Sequence, residues 1–344
     1  MTSQRYNKKI IFISHNDNYF VEGASKFIFE MYKNMRCEKY LLSNENNIID
    51  AINKNLRNEV HIVNNTTNKL SNVVVYLNTI SSLPLINELY KCYICVLIIH
   101  ENDVASYINE IDLWNSDEKA FNHDLSLCDK IIFVCEKTRD EYRKYIKNIK
   151  NDVIYNGIKI NENLNKNNNV SERLRICMIG TVCDRKNQIG LIKYLSDNSS
   201  CYSVDLYGLC SASYVNELNK LTNCNYKGTF INIQINNVLS NYDVLISNSY
   251  DECLPYNILE AMTNEVVVIS SNCGGVAEII TNNVDGYIYD IEDYKKVVSI
   301  LDTLSDDRNQ LKIIGQNGRN KIKKKFNLSK SVELHTNMCN QLME

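Results

Sequence analysis

At 344 residues, 44% hydrophobic and 23% charged, the chain is long enough to bury two cores. Its net charge of −3 argues against a nucleic-acid binder, and no apolar run approaches the length that spans a membrane. Thirteen cysteines scattered through apolar segments of so long a chain read as buried thiols in a reducing cytoplasm, not as a disulfide scaffold. The N-terminus carries basic residues before a short apolar run, which is not the pattern of a signal peptide.

The first half alternates strand and helix signals. Lys8–Ser14 (KKIIFIS) reads as a buried strand, His15–Glu22 as a polar loop, and Gly23 as the opening of a helix to about Met35. A glycine after a first strand lets the backbone approach a ligand closely. Short strands are expected at Lys39–Leu42, Glu59–Val63 and Val73–Leu77, with a helix near Asn47–Leu56. Tyr93–Ile99 is the most continuous apolar run, so it should be a central strand, and it ends at His100-Glu101. Cys92 and Cys95 form a lone C-x-x-C in that run; their odd separation puts them on opposite faces, which argues against zinc. Lys130–Cys135 is the next strand. The helix Glu136–Ile149 then carries Arg139, Arg143, Lys144 and Lys147, a basic face that fits solvent or anionic lipid. Asp152–Tyr155 leads into Asn156-Gly157-Ile158, and the polar, aperiodic run 159–172 is a linker.

A second alternation begins at Leu174–Ile179, a strand ending at Gly180. Thr181–Arg185 is a loop, Lys186 precedes a helix over about Asn187–Leu195, and a lysine there is well placed to neutralise a diphosphate. Ser203–Tyr207 is a strand, Ser211–Leu221 a helix, Tyr226–Phe230 a loop and Asn232–Leu239 a helix. Val244–Ile246 is a short buried strand followed by Asp251 and Glu252. Pro255 stands where a helix would start, and that helix runs over about Tyr256–Met262 with Glu260 inside it. Val266–Ile269 is a strand, and Gly274-Gly275 opens a helix with Glu278 in its first turn. Tyr287–Tyr289 is a last strand before the helices Glu292–Leu304, Asp307–Lys325 and Ser329–Leu342.

In open parallel α/β sheets ligands sit beyond the carboxyl ends of the strands. A helix N-terminus there offers N–H groups to a phosphate. Glu252 lies just before such a terminus and Glu260 about one turn inside it. Carboxylates accept hydrogen bonds from hydroxyls, so the pair fits a diphosphate with hydroxyls on both sides, which is a sugar nucleotide. Two glutamates at this spacing also fit a surface helix with solvated charges.

The run Glu252–Cys–Leu–Pro–Tyr–Asn–Ile–Leu–Glu260–Ala–Met resembles the E-x7-E signature of family four retaining glycosyltransferases, the glycosyl transferases group 1. Gly274-Gly275-Val-Ala-Glu278-Ile resembles the family's next motif at the expected distance. The resemblance extends over most of the chain and implies the GT-B fold, an α/β architecture of two doubly wound Rossmann-like domains facing across a cleft. It implies an acceptor domain over 1–165, a nucleotide-sugar domain over 170–328, and a helix over 329–344 that crosses back to the first. It further implies that Glu260 binds ribose hydroxyls and that Lys186, helped by Arg185, binds the diphosphate. Backbone groups of Leu254, Pro255, Tyr256, Asn257 and Ile258 would hold phosphate or sugar oxygens, and Glu252 would orient the donor sugar. Gly228 and Phe230 would lie in the nucleobase loop, His100 near the transferred sugar, and Gly23 in the acceptor or phosphate loop.

Three positions depart from the family pattern: Thr181 replaces the usual arginine, Cys253 the usual glycine, and Glu22 the first of the two glycines that often stand at Glu22-Gly23. The expected activity is transfer of a sugar from a nucleotide-diphosphate sugar to an acceptor hydroxyl, with charge on the leaving group stabilised by lysine and a helix dipole and with no metal or other cofactor required. The acceptor would be a sugar or lipid-linked sugar of bacterial surface polysaccharide or glycolipid synthesis. Localisation would then be cytoplasmic, peripheral on the inner membrane face if the acceptor is polyprenol-linked. The alternatives are a sugar-nucleotide epimerase, which would need more cleft acids and histidines than the five His supply, and a non-catalytic partner of another transferase. A phosphorylase would need a pyridoxal lysine and a far longer chain.

Overall fold

The structure is a computed structural model that describes residues 8–14, 23–43, 70–104, 108–109, 117–162, 164, 173–198, 201–230 and 234–344. The expected loop His15–Glu22, helix Asn47–Leu56 and strand Glu59–Val63, and most of the linker, lie outside the described residues. The chain divides into two compact units, one of Met1–Gly157 with Ser329–Glu344 and one of Ile158–Leu328.

The first unit is built on a parallel sheet of β1 (Lys9–Ser14), β2 (Glu38–Ser43), β3 (Leu70–Asn78), β4 (Tyr93–Ile99), β5 (Lys130–Phe133) and β6 (Asn151–Val153). Their order is β2-β1-β3-β4-β5-β6. All seven residues of β4 are buried, as a strand covered on both faces requires. The order turns back on itself between β1 and β3, so the carboxyl ends Ser14 and Asn78, paired in register, flank a switch point.

Three expectations are corrected here. Cys92 lies in the turn before β4, not within the strand. The helix expected over Glu136–Ile149 is regular only over Glu136–Glu141. Beyond it the chain tightens: Arg143 N–H donates to Asp140 O and Tyr145 N–H to Tyr142 O, both three residues back. The tightening turns Tyr142 onto Phe133 and Tyr145 onto Phe121, so ring burial overrides the helical period. The basic side chains of this stretch face acids, with Arg139 on Glu136, Arg143 on Asp140 and Lys144 on Glu118. The third correction is in the second unit, where Tyr226–Gly228 is not loop but the end of an edge strand, Cys224–Gly228.

That unit holds β7 (Ile176–Ile179), β8 (Val204–Tyr207), β9 (Cys224–Gly228), β10 (Val244–Ser247), β11 (Val267–Ser271) and β12 (Tyr287–Tyr289), in the order β12-β11-β10-β7-β8-β9. Read from the other edge this is the doubly wound Rossmann order, with β7 first and the switch point between β7 and β10. Helices Gln188–Asp197, Tyr256–Thr263, Tyr294–Asp306 and Arg308–Lys325 accompany it. Val244, Ile246, Val267, Ile269 and Leu301 share one core cluster, separate from the cluster of the first unit. Gly208, just after β8, has φ +153°, and a Cβ there would stand 1.9 Å from Gly180 O, so two strand ends close up only because no side chain intervenes. Among the described residues no helix is long and apolar enough to cross a membrane.

Candidate active site

The switch point of the second unit collects the charged residues. After β7 the chain passes Gly180 and a short turn, Asp184–Lys186, and then Asn187 in the left-handed region at φ 44° before helix Gln188–Asp197. After β10 it passes Asn248, Ser249, Tyr250 and Asp251 to Glu252. The two segments are tied together by main-chain and side-chain bonds. Tyr250 N–H donates to Arg185 O at 2.8 Å, and Asn248 Nδ2 donates to Asn187 O at 2.6 Å. The Tyr289 hydroxyl donates to Asn248 Oδ1 at 2.6 Å, so this buried asparagine is held from both sides.

That register brings Lys186 Nζ onto Glu252 Oε1 in a direct ion pair, although the two are 66 positions apart. Arg185 sits 3.5 Å from the same oxygen and donates to Asp251 O at 2.7 Å. Ser249 Oγ donates to Glu252 Oε1 at 2.8 Å. Burial would push the Glu252 carboxyl up, but the Lys186 and Arg185 charges and the hydrogen bonds from Lys186 and Ser249 hold it below its ordinary value. The carboxylate is therefore ionised at neutral pH. Cys273, nearby, is pushed up to about 11 by burial and by the Glu252 charge, so it remains a thiol.

Helix Tyr256–Thr263 starts beside this cluster. Pro255 is its N-cap rather than its first helical residue, with an extended backbone (φ −68°, ψ 119°). Leu254 and Pro255 are buried, and Tyr256 and Asn257 partly so. Asn257 Nδ2 donates to Ile179 O at 2.9 Å, docking the helix on the end of β7, and its Oδ1 accepts from Ile258 N–H at 2.9 Å. Ile258 N–H is thereby engaged within the helix. Glu260 is buried on the same helix. Gly275 N–H donates to the carbonyls of Glu252 and Cys253, so the glycine turn braces the acidic loop.

Gly228 ends β9 at φ +75°. Phe230 meets the Tyr207 ring edge-on at 5.5 Å. The Tyr207 hydroxyl lies 2.8 Å from that of Tyr242, which donates to Asp205 at 2.7 Å. Lys186, Arg185, Glu252, Leu254, Pro255, Tyr256, Asn257, Ile258, Glu260, Gly228 and Phe230 all belong to the second unit, whereas His100 and Gly23 belong to the first.

In the first unit Gly23 begins helix Gly23–Asn34. His100 follows β4, with its Nε2 3.0 Å from Asn78 Oδ1 and its ring 5.2 Å from that of Phe27. Asn248, Ser249, Tyr289 and Asn78 were not singled out by sequence reasoning. The available signal was the polar run Ser-Asn-Ser directly after an apolar strand. Among the described residues no group of three or more His, Cys, Asp or Glu could hold a metal ion.

The family described as Glycosyl transferases group 1 matches residues 159–321. An Escherichia coli UDP-Gal:alpha-D-GlcNAc-diphosphoundecaprenol alpha-1,3-galactosyltransferase is 28% identical over 165 residues, which is 45% of this chain and 42% of that protein. The chain therefore spans less than half the length of that relative. Among solved structures, sucrose-phosphate synthase from Thermosynechococcus elongatus superposes with a TM-score of 0.77 at 13% identity, over 98% of this chain and 99% of that one. Anabaena Alr3699/HepE in complex with UDP gives 0.76 at 14% identity, over 97% of this chain and 100% of that one. Likeness of this extent at such low identity establishes the fold, GT-B.

Proposed function

Through residues 159–321 the chain belongs to the glycosyl transferases group 1, and on that premise we propose that it is a retaining glycosyltransferase. It moves a sugar from a nucleotide-diphosphate sugar to an acceptor hydroxyl. One observation carries this reading: two cations and a buried, ionised carboxylate converge where β7 and β10 diverge, beside a helix start. A diphosphate fits the cations, and a sugar hydroxyl fits the carboxylate.

In this mechanism Lys186 and Arg185 take the diphosphate, Arg185 standing in for the arginine that Thr181 replaces. The diphosphate releases Glu252 from its ion pair, and Glu252 then accepts a hydroxyl of the donor sugar. Glu260 receives the ribose hydroxyls. Leaving-group charge develops on the diphosphate as the glycosidic bond breaks, and fixed cations and the helix dipole stabilise it there without reorganisation. The acceptor hydroxyl attacks from the face the leaving group vacates, which retains configuration. In the first unit, His100 is the residue assigned to the transferred sugar and Gly23 the one assigned to the acceptor or phosphate loop.

The bound UDP of HepE and the UDP-galactose donor named for the E. coli relative favour a UDP-sugar. That relative's diphosphoundecaprenol acceptor favours a lipid-linked sugar, and with it work at the inner membrane face in surface polysaccharide or glycolipid synthesis. The test is a thermal-shift screen of UDP-, GDP-, ADP- and TDP-sugars against the wild type and Glu260→Ala. Stabilisation should follow RT ln(1 + [L]/Kd) for the UDP series and vanish in the variant. Shifts with no nucleotide, or equal shifts in the variant, would reject the reading in favour of a non-catalytic partner subunit.

A further inference from the structure

Beyond β3 the chain takes a conformation that its residue type resists. Thr79 is β-branched, yet it sits at φ 78°, ψ 157°, a region that is otherwise almost confined to glycine. Such backbone is costly and persists only where its surroundings over-determine it. Here the surroundings are explicit. Thr79 N–H donates to Ile98 O at 2.9 Å, and Ser82 Oγ donates to Asn78 O at 2.8 Å. The next residue, Ile80, donates its N–H to Glu101 Oε2 at 3.3 Å, and the same oxygen accepts the N–H of His100 at 2.9 Å. One carboxylate thus joins the turn after β3 to the end of β4.

The turn bears on the imidazole as well. Asn78 Nδ2 donates to Ala24 O at 3.1 Å, which fixes the amide orientation and leaves Asn78 Oδ1 facing His100 Nε2 as a pure acceptor. An acceptor at that place requires a proton on His100 Nε2. His100 is held twice, at its backbone by Glu101 and at its ring by the residue preceding Thr79.

We propose that Glu101 is a positioning residue: its carboxylate staples the Thr79–Ile80 turn to β4 and thereby fixes the place and tautomer of His100 for the transfer reaction. The role presupposes that the chain is a glycosyltransferase and that His100 faces the transferred sugar. Burial supports it, since the Glu101 carboxyl is pushed up to about 7 by desolvation against the pull of the main-chain N–H groups. A group kept at that cost has its acceptor oxygen in use.

The test compares Glu101→Ala, which removes the acceptor, with Glu101→Gln, which keeps one. Transfer kinetics are measured with a UDP-sugar, and histidine nitrogen spectra of the full chain are recorded in parallel. In Glu101→Ala, kcat should fall about 10–100-fold, the penalty of a misplaced group, while the KM for donor stays within about twofold. The His100 spectrum should lose its single Nε2–H pattern, and Glu101→Gln should recover both readouts. An Nε2–H pattern unchanged in Glu101→Ala would overturn the proposal whether or not any donor is turned over. So would an unchanged kcat in an active enzyme, even with lowered thermal stability. A wild type that transfers from no nucleotide sugar, yet shows the expected spectral changes, would count against the glycosyltransferase reading alone.

Discussion

Acid should loosen the first unit through one histidine. His335 lies on helix Leu328–Leu342 and is fully buried, with its ring 5.4 Å from that of Phe27 and its Nδ1 3.1 Å from the Tyr76 hydroxyl. Nε2 has no hydrogen-bond partner among the described residues. Burial holds its pKa down at about 3, against an ordinary 6.5. The folded value lies below the unfolded one, so the neutral ring's contribution is complete above about pH 6.5 and is lost as pH falls toward 3. At about pH 4.5, two units below the unfolded value, each unit costs about 1.36 kcal/mol, or about 2.7 kcal/mol in all. The assay is urea unfolding at about pH 7.5 and about pH 4.5, with hydrogen exchange of peptides from β3 and Leu328–Leu342 identifying the unit that opens. His335→Asn keeps a hydrogen-bonding group near Tyr76 but cannot titrate. Its stability loss between the two pH values should be smaller than that of the wild type by about 2.7 kcal/mol. Equal losses in the two proteins would refute the argument from the buried imidazole.

Three further outcomes are expected. Lys186→Met removes the cation paired directly with the buried Glu252, so calorimetry should show UDP binding abolished and denaturation a loss of about 3 kcal/mol, the low end for a broken buried pair; unchanged affinity would refute the assignment. Asn248→Ala strands the Tyr289 hydroxyl and the Asn187 carbonyl, costing about 1–3 kcal/mol and weakening UDP binding through the loop that carries Lys186; a normal unfolding midpoint would show that the network matters little. Gly208→Ala drives a methyl onto Gly180 O, so the second unit should lose about 3 kcal/mol or more in chemical denaturation, and an unaltered midpoint would show that the strand ends can part.

Much of the fold was legible because parallel strands covered on both faces are mostly apolar, and β1, β4 and β10 are buried at every position. The strand Cys224–Gly228 was not legible: at a sheet edge its residues alternate in exposure, and Asn225 and Lys227 look like loop. The end of the helix at Glu141 was hidden for another reason, since the tyrosines that decide it act through tertiary contact. At the site, the placement of Lys186 and Glu252 at strand ends could be read from residue type and spacing. Their direct pairing could not, because it depends on β7 lying beside β10, a long-range choice that no local pattern encodes. Asn248 and Ser249 passed unnoticed because small polar residues after a strand are what any loop begins with.

Helix Leu328–Leu342 follows the whole second unit in the chain, yet Ser329–Glu344 belongs to the first unit, whose sheet is synthesised earlier. Tyr76 of β3 therefore waits for His335 and Cys339 until the whole intervening unit has been made. During translation the sheet of the first unit carries an uncovered apolar surface, while the second unit, continuous in the chain, can close as it emerges. Birth order and completion order are reversed. A ribosome that stalls before Leu328–Leu342 is made would hold a finished second unit and an unfinished first one, which makes the codons of this helix a point of vulnerability for chaperones and proteases to police.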